Sequence, residues 1–525
     1  MHRRHFLKYS GLAAGVAGFQ LNGFGVNPAP QLPFLRALAE GGNPQGRVLV
    51  LVQLIGGNDG LNTFIPLDQY PRLSKVRQQL LIPEKDTLKL NGTTRNGLHP
   101  AMPQLRNLYN EGLVSVVQNV GYPNQDYSHF RSTDIWMSAS DADQLVETGW
   151  AGRYLQGQHP AFPTGYPNPD APDPLAIQIG SVVSLALMGT EVPVGMAIND
   201  PQAYYQFVND QVEATPNSPY GDELKFIRLI SQQAQVYYES IKKAADKGKN
   251  LSNLYPVLNE NYLADQLRIV AQLISGGLQT AIYIVTLDGF DTHSDQVDPS
   301  GGPLEGNHSY LLKLLSEAVG AFQDDLNKLG VSDRVAGMTF SEFGRTVAEN
   351  ASFGTDHGAA APLFVFGKGV VPGIIGDNPH IPENVFESTD LPMQHDFRSI
   401  YASALKDWFG LDNPRDVLQY DFPILPIFKA ASTGIATSGR QPKVEVSNYP
   451  NPFHNATTFT FSSEGGHVVI DLVDAGGRVL QTIVEGQYAA GTHRVTYSRS
   501  DLPAGVYFYQ IKVNGVGLTK KLLVI

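Results

Sequence analysis

Arg47-Val48-Leu49-Val50-Leu51-Val52-Gln53-Leu54 runs straight into Ile55-Gly56-Gly57-Asn58-Asp59-Gly60. An apolar run without polar alternation fits a strand buried on both faces, as in a parallel sheet with helices above and below. The two glycines let the chain turn tightly and set Asp59 beside the strand's carboxyl end, where open α/β sheets place their ligands. The same residues also read as an Asn-Asp-Gly turn with a capping aspartate.

Working outward, Leu113–Asn119, Leu175–Ile179, Ala281–Leu287, Arg334–Phe340 and Leu363–Phe366 are apolar runs of the same kind. Between and after them, Glu223–Lys243, Tyr262–Ser275, His308–Leu329 and Phe397–Phe409 repeat apolar residues at the helical period. Strands alternating with helices predict an α/β fold: a doubly wound, mostly parallel sheet covered on both faces. We expect this domain to span residues 45–430. Residues 431–441 are small and polar and read as a linker. From 442 to 525 short strands alternate with turns, which predicts a small all-β sandwich.

Two acid–histidine pairs stand after predicted strands. Asp291 and His293 are two residues apart, so an extended backbone points both to one side and can give two ligands to one ion. Asp356 and His357 are adjacent, and both reach one site only from a bend, which Gly354 and Gly358 supply. Glu342 is either a ligand or the group that orients a ligand imidazole. Arg345 either holds an oxyanion or pairs with Glu342. Ser128 sits where a helix should begin. It is either an N-cap or a nucleophile at the positive end of the helix dipole. Asp396 reads as a cap, with His395 before it as an extra candidate ligand. His99 and His129 are isolated and read as structural. Oxygen and nitrogen donors without thiolate suit one or two Zn²⁺ or Mn²⁺ ions.

The 525 residues contain no cysteine, which excludes disulfides, thiolate nucleophiles and Cys-ligated metal. The net charge of -12 argues against a nucleic-acid partner. No apolar stretch of the mature chain approaches the ~20 residues of a membrane helix. Arg3-Arg4 followed by Phe6-Leu7-Lys8 and a small apolar stretch resembles a twin-arginine export signal, so residues 1–30 are expected to be signal and leader, read by the Tat export machinery.

Two further resemblances rest on ordered motifs. Tyr449–Phe453, Asp474–Val479, Ala490–His493, Leu502–Tyr507 and the ending Lys520–Ile525 look like the type A C-terminal sorting domain of the type IX secretion system. That implies the type IX machinery as partner, a host of the Bacteroidetes kind, and a product secreted or held on the outer-membrane surface via the periplasm. Gly56–Asn62, Leu98–Pro100, Ser128–Phe130, Gly149–Tyr154, Gly289–His293, Ser341–Thr346, Gly354–Gly358 and Asp396–Arg398 resemble the DUF1501 family, placed in the alkaline phosphatase-like superfamily. The resemblance implies an alkaline phosphatase-like fold with Asp59, Asp291, His293, Asp356 and His357 as metal ligands. Ser128 is then the first candidate nucleophile and Thr63 the second. The implied activity is metal-dependent hydrolysis of a phosphate ester, small-molecule or polymeric, with a sulfate ester second. The alternative is a surface-binding or adhesive protein on a degenerate hydrolase scaffold, because Asp291 and His293 stand closer than the superfamily's pattern and no certain final histidine is present.

Overall fold

The computed structural model describes residues 20–21, 24–25, 46–190, 192–201, 234, 236–429 and most of 445–524. The twin-arginine segment, the 431–441 linker and most of the Glu223–Lys243 helix lie outside the described residues. The contacts divide the chain into two compact units, parting between residues 432 and 433.

The large unit is built on nine strands: β1 (Val48–Ile55), β2 (Val114–Gly121), β3 (Ala176–Ile179), β4 (Gly195–Ile198), β5 (Ile282–Asp288), β6 (Val335–Phe340), β7 (Ala361–Phe366), β8 (Gly373–Ile375) and β9 (His395–Asp396). Their order is β8-β2-β7-β6-β1-β5-β3-β4, and β9 also pairs with β2. Only β7 opposes its neighbours; the remaining pairings are parallel. The principal helices are α1 (Pro103–Asn110), α2 (His129–Ser138), α3 (Trp150–Gln158), α4 (Tyr262–Ser275), α5 (Asn307–Lys328) and α6 (Phe397–Ser403).

The central strand shows why the sheet is covered twice. Val48, Val50, Val52 and Leu54 belong to a core shared with α1, α4 and α5. Leu49 and Leu51 belong to the core on the other face, with α2, α3 and α6. Each such fully buried side chain contributes about 1.5–3 kcal/mol of transfer free energy, which explains why Val48–Val52 is entirely apolar. Helix α4 forms where Leu263, Leu267, Val270 and Ile274 recur on one face. The Asn261 side chain caps it by accepting from the Ala264 N–H at 3.1 Å.

The fold brings five loops to one edge. The carboxyl ends of β1, β2, β5 and β6 point the same way, and antiparallel β7 starts at that edge, so the Gly354–Gly358 loop preceding it arrives there too.

The small unit is one antiparallel sheet of β10 (Glu445–Tyr449), β11 (Ala456–Val473), β12 (Val479–Ser498), β13 (Gly505–Val513) and β14 (Val516–Val524). Where short strands are expected, Ala456–Val473 runs as one long strand through Gly465-Gly466. Phe459 and Phe461 before the glycines and Val468, Ile470 and Leu472 after them fill a single core, although a straight strand would send the two sets to opposite faces. Gly465 and Gly466, at φ +102 and +130, let the strand turn over and the sheet curl around its own core.

Candidate functional site

Four side chains converge at the carboxyl edge of the large unit's sheet. The β1 turn comes first. Gly56 has φ +122, and a Cβ there would stand 2.2 Å from the Asp291 backbone nitrogen, so only glycine lets this turn pack against the loop after β5. That loop is tied back by the Phe290 N–H donating to the Ile55 carbonyl at 2.9 Å. It carries Asp291 and His293. His357 comes from a two-residue ribbon in which Arg345 and His357 are paired. His129 is the first residue of α2, reached from the end of β2.

Asp291 is the hub. Its Oδ1 lies 3.4 Å from His293 Nε2 and 3.5 Å from His357 Nε2, and its Oδ2 lies 3.5 Å from His129 Nε2. His129, Asp291 and His357 each offer a donor atom within 4.8 Å of the others.

The far side of each imidazole decides what the near side can do. His357 Nδ1 donates to the Tyr127 carbonyl at 2.8 Å. His129 Nδ1 meets Glu342 Oε1 at 2.8 Å, and His293 Nδ1 meets Asp356 Oδ1 at 3.1 Å. All three partners are oxygen acceptors, so a proton on each Nδ1 satisfies them and leaves each Nε2 facing the cluster as a metal donor. His293 Nε2 and His357 Nε2 are 2.8 Å apart. Two lone pairs at that distance repel unless a proton or a cation lies between them.

A metal ion fits this donor set. Three imidazole nitrogens and a carboxylate make an N₃O set. Asp291 Oδ1 lies 3.4 and 3.5 Å from the Nε2 atoms of His293 and His357, and Oδ2 lies 3.5 Å from that of His129, spacings on the scale of the ~3.3 Å edge of a tetrahedral zinc site; His293 Nε2 stands closer, 2.8 Å from His357 Nε2. Imidazoles whose second nitrogen donates to a carboxylate or carbonyl are the usual form of a metal-ligating histidine.

The surroundings hold the set in place. Phe343 is buried, and its ring centre lies 4.4 Å from that of His357 and 4.9 Å from that of His129. Burial and the nearby Arg345 charge keep the His357 imidazole below its ordinary range, so it is neutral near pH 7. Burial opposes ionisation of Asp291, but the Arg345 hydrogen bond and charge outweigh it and hold the carboxyl below its usual range. For Asp356 the hydrogen bonds from Asn350 and His293 do the same against burial.

Several sequence candidates lie elsewhere. Asp59 is fully buried and its carboxylate is taken up by other partners: Arg77 Nη1 donates to Oδ1 at 2.9 Å and Oδ2 at 2.7 Å, and Gln296 Nε2 donates to Oδ2 at 2.6 Å. Thr63 is buried, its hydroxyl 2.8 Å from the Asp59 carbonyl and 3.0 Å from Asn58 Oδ1. Arg345 is not paired with Glu342. Its Nε donates to the Gly57 carbonyl at 2.8 Å and its Nη1 to the Thr355 carbonyl at 2.8 Å. Its Nη2 reaches Asp291 Oδ1 at 2.8 Å, the Phe290 carbonyl at 2.9 Å and the Gly56 carbonyl. It therefore serves as a buried clamp under Asp291. Glu342 is buried behind His129, where its Oε1 also accepts the Gly56 N–H at 2.8 Å. Asp356 stands behind His293. His395 lies in β9, paired beside Val120, with a buried Nε2 that has no partner among the described residues. Ser128 occupies the N-cap position of α2, but its hydroxyl is exposed and does not cap the helix.

His129 is the residue that sequence reasoning missed. Its partner Glu342 is 213 positions away, so no local spacing marks the pair. The available signal was the place of Ser128–Phe130 just past the end of a parallel strand.

His99 and His308 form a second, fully enclosed pair. His99 Nδ1 accepts the Ala101 N–H at 3.1 Å, and His308 Nε2 meets Asn58 Oδ1 at 3.0 Å. Burial lowers their pKa values to about 3 and about 4. Folded, they bind fewer protons than the unfolded chain, whose imidazoles titrate near 6.5. Stability is therefore expected to fall as pH drops below ~6.5, at roughly 1.4 kcal/mol per pH unit per histidine, levelling near the folded pKa values. Urea unfolding between pH 7 and 4.5 measures this, and His99→Asn with His308→Gln should flatten the slope. An unchanged slope would refute the assignment.

Residues 209–420 match the family model described as "Protein of unknown function (DUF1501)". Residues 447–525 match the model described as "Secretion system C-terminal sorting domain". No curated protein matches the chain. Among solved structures, dimeric latent PorU from Porphyromonas gingivalis is similar over 17% of this chain and 10% of its own, at 19% identity and TM-score 0.16; this chain spans about a tenth of it. A protein in the alkaline phosphatase superfamily from Vibrio parahaemolyticus is similar over 94% of this chain and 92% of its own, at 12% identity and TM-score 0.34. PsFucS1 sulfatase from Pseudoalteromonas sp. is similar over 90% and 89%, at 12% identity and TM-score 0.32.

Proposed function

We propose that this chain, which carries a DUF1501 segment and a secretion sorting domain, is a secreted metal-dependent hydrolase of phosphate esters. Sulfate esters are the second substrate class. The observation that carries the reading is the convergence of His129, His293 and His357 Nε2 on Asp291, each ring backed by an oxygen acceptor on Nδ1. Export is read as Tat passage to the periplasm followed by type IX transport, which requires the site to be assembled in an already folded protein.

Zn²⁺ or Mn²⁺ would be held by these four residues and would supply Lewis-acid polarisation of the ester and a lowered pKa for a hydroxyl or water. The chain's own residues do the rest. Glu342, Asp356 and the Tyr127 carbonyl fix the three ring protons on Nδ1. Arg345 holds Asp291 at Oδ1, the oxygen that also faces His293 and His357, while Oδ2 faces His129. The Asp291 side chain is 49 % exposed while Arg345 is 0 % exposed, so the cluster opens to solvent on one side only. Ser128 presents its hydroxyl at the amino end of α2, where the helix dipole favours a negative charge. We assign it the nucleophile's place, or that of a hydrogen-bond donor to the ester.

The test uses the full chain. Metal content by elemental mass spectrometry is expected to show one ion per molecule. Hydrolysis of p-nitrophenyl phosphate or bis-p-nitrophenyl phosphate, with p-nitrophenyl sulfate alongside, should be abolished by chelator. Ser128→Ala should keep the ion and lose about 10²-fold or more in rate, the scale of one lost catalytic group. A chain that takes up no metal after reconstitution, or an activity that chelator leaves intact, would overturn the proposal.

A further inference from the structure

The Tyr127 carbonyl fixes the tautomer of His357, and the position of that carbonyl is itself controlled from outside the cluster. The Tyr127 hydroxyl donates to Asp390 Oδ2. Asp390 Oδ1 accepts the Ala359 N–H at 2.8 Å. One carboxylate thus ties together the two backbone segments that carry His129 and His357. The carboxylate is anchored from below. The Thr389 carbonyl accepts the Val347 N–H at 2.8 Å, and the turn before it closes by Phe386 N–H donating to Thr389 Oγ1 at 2.7 Å. Leu391 is buried with Val347 and Ile381 in a satellite core. The base of the tie is therefore fixed, while Tyr127 at its tip is 43% exposed.

We propose that Tyr127 and Asp390 form a latch that positions the imidazoles of His357 and His129 for the metal ion. The proposal rests on the metal-site reading above and adds residues that neither ligate nor touch a ligand ring's Nδ1 with their side chains. They are positioning residues. Neither Tyr127→Phe nor Asp390→Ala removes the carbonyl that accepts from His357; Tyr127→Phe frees the segment that carries this carbonyl and His129, and Asp390→Ala frees the Ala359 N–H beside His357 as well. Outer partners of metal ligands typically tune affinity 10–100-fold.

The test is Co²⁺ titration of the full-length protein, followed by its visible ligand-field spectrum. Wild type should bind one ion with an intense, tetrahedral-type spectrum. Tyr127→Phe and Asp390→Ala should each weaken binding by about 10–100-fold and change band position or intensity. The double variant should be no worse than Asp390→Ala, because the two side chains act through one bond. Thermal unfolding of the metal-free variants checks that they fold. Variants that bind Co²⁺ as wild type does, with the wild-type spectrum, overturn the latch and leave the proposed function standing. A wild type that binds no Co²⁺ overturns both.

Discussion

His129→Ala is expected to empty the metal site. The substitution removes one of three Nε2 donors and also takes the ring away from Glu342, whose Oε1 is left with the Gly56 N–H. Loss of a ligand should exceed the ~10–100-fold cost of losing an outer partner. Ester hydrolysis should fall by about 10³-fold or more, beyond the ~10²–10³ of a single lost electrostatic stabiliser. His395→Ala is the informative contrast. His395 precedes Asp396 at the start of α6 and was a candidate ligand on sequence grounds, but it sits in β9 on the outer side of β2. It should keep the ion and the activity. Elemental mass spectrometry after dialysis in a zinc buffer reads both variants. A full complement of ion in His129→Ala, or its loss in His395→Ala, would refute the assignment of ligands.

The contrast between these two histidines shows what the sequence makes legible. Apolar runs such as Val48–Val52 announce strands buried on both faces, because both faces pack against apolar cores. Helices α4 and α5 are readable from their period. The antiparallel direction of β7 is not, since Ala361–Phe366 is a short apolar run as β6 is, and such a run carries no mark of direction. Asp291 and His293 were legible as a pair because local spacing alone brings them to one place. Asp356 and His357 were legible as a pair but not in their division of labour: His357 Nε2 enters the cluster while Asp356 backs His293. His129 meets Glu342 across 213 positions and Tyr127 meets His357 across 230, where spacing carries no signal.

Asp59 gives the sharpest remaining test, because two readings of it predict opposite failures. As a ligand it would be dispensable for folding, and Asp59→Asn would yield a stable, metal-free protein. The structure instead pairs it with Arg77, both side chains at 0 % exposure. Arg77 also donates to the carbonyls of Val347 at 2.7 Å and Thr346 at 2.7 Å, so the pair links the turn after β1 to the segment after Arg345. Burial opposes the charge on Asp59, yet Arg77 and His308 with hydrogen bonds from Arg77 and Gln296 hold its carboxyl below the usual range. Removing the cation strands a buried carboxylate. Arg77→Met is therefore expected to destabilise the large unit by about 3–5 kcal/mol, the usual cost of breaking a buried pair from one side. Arg77→Met with Asp59→Asn should recover part of that loss, because no unpaired charge is then buried, although the two carbonyls still lack their donor. Urea unfolding of both variants at pH 7 gives the two values, with metal content measured on the folded fraction. If Arg77→Met unfolds at the wild-type midpoint, the buried pair is not what holds these two loops together; if Asp59→Asn stays as stable as wild type and only loses its ion, Asp59 is a ligand.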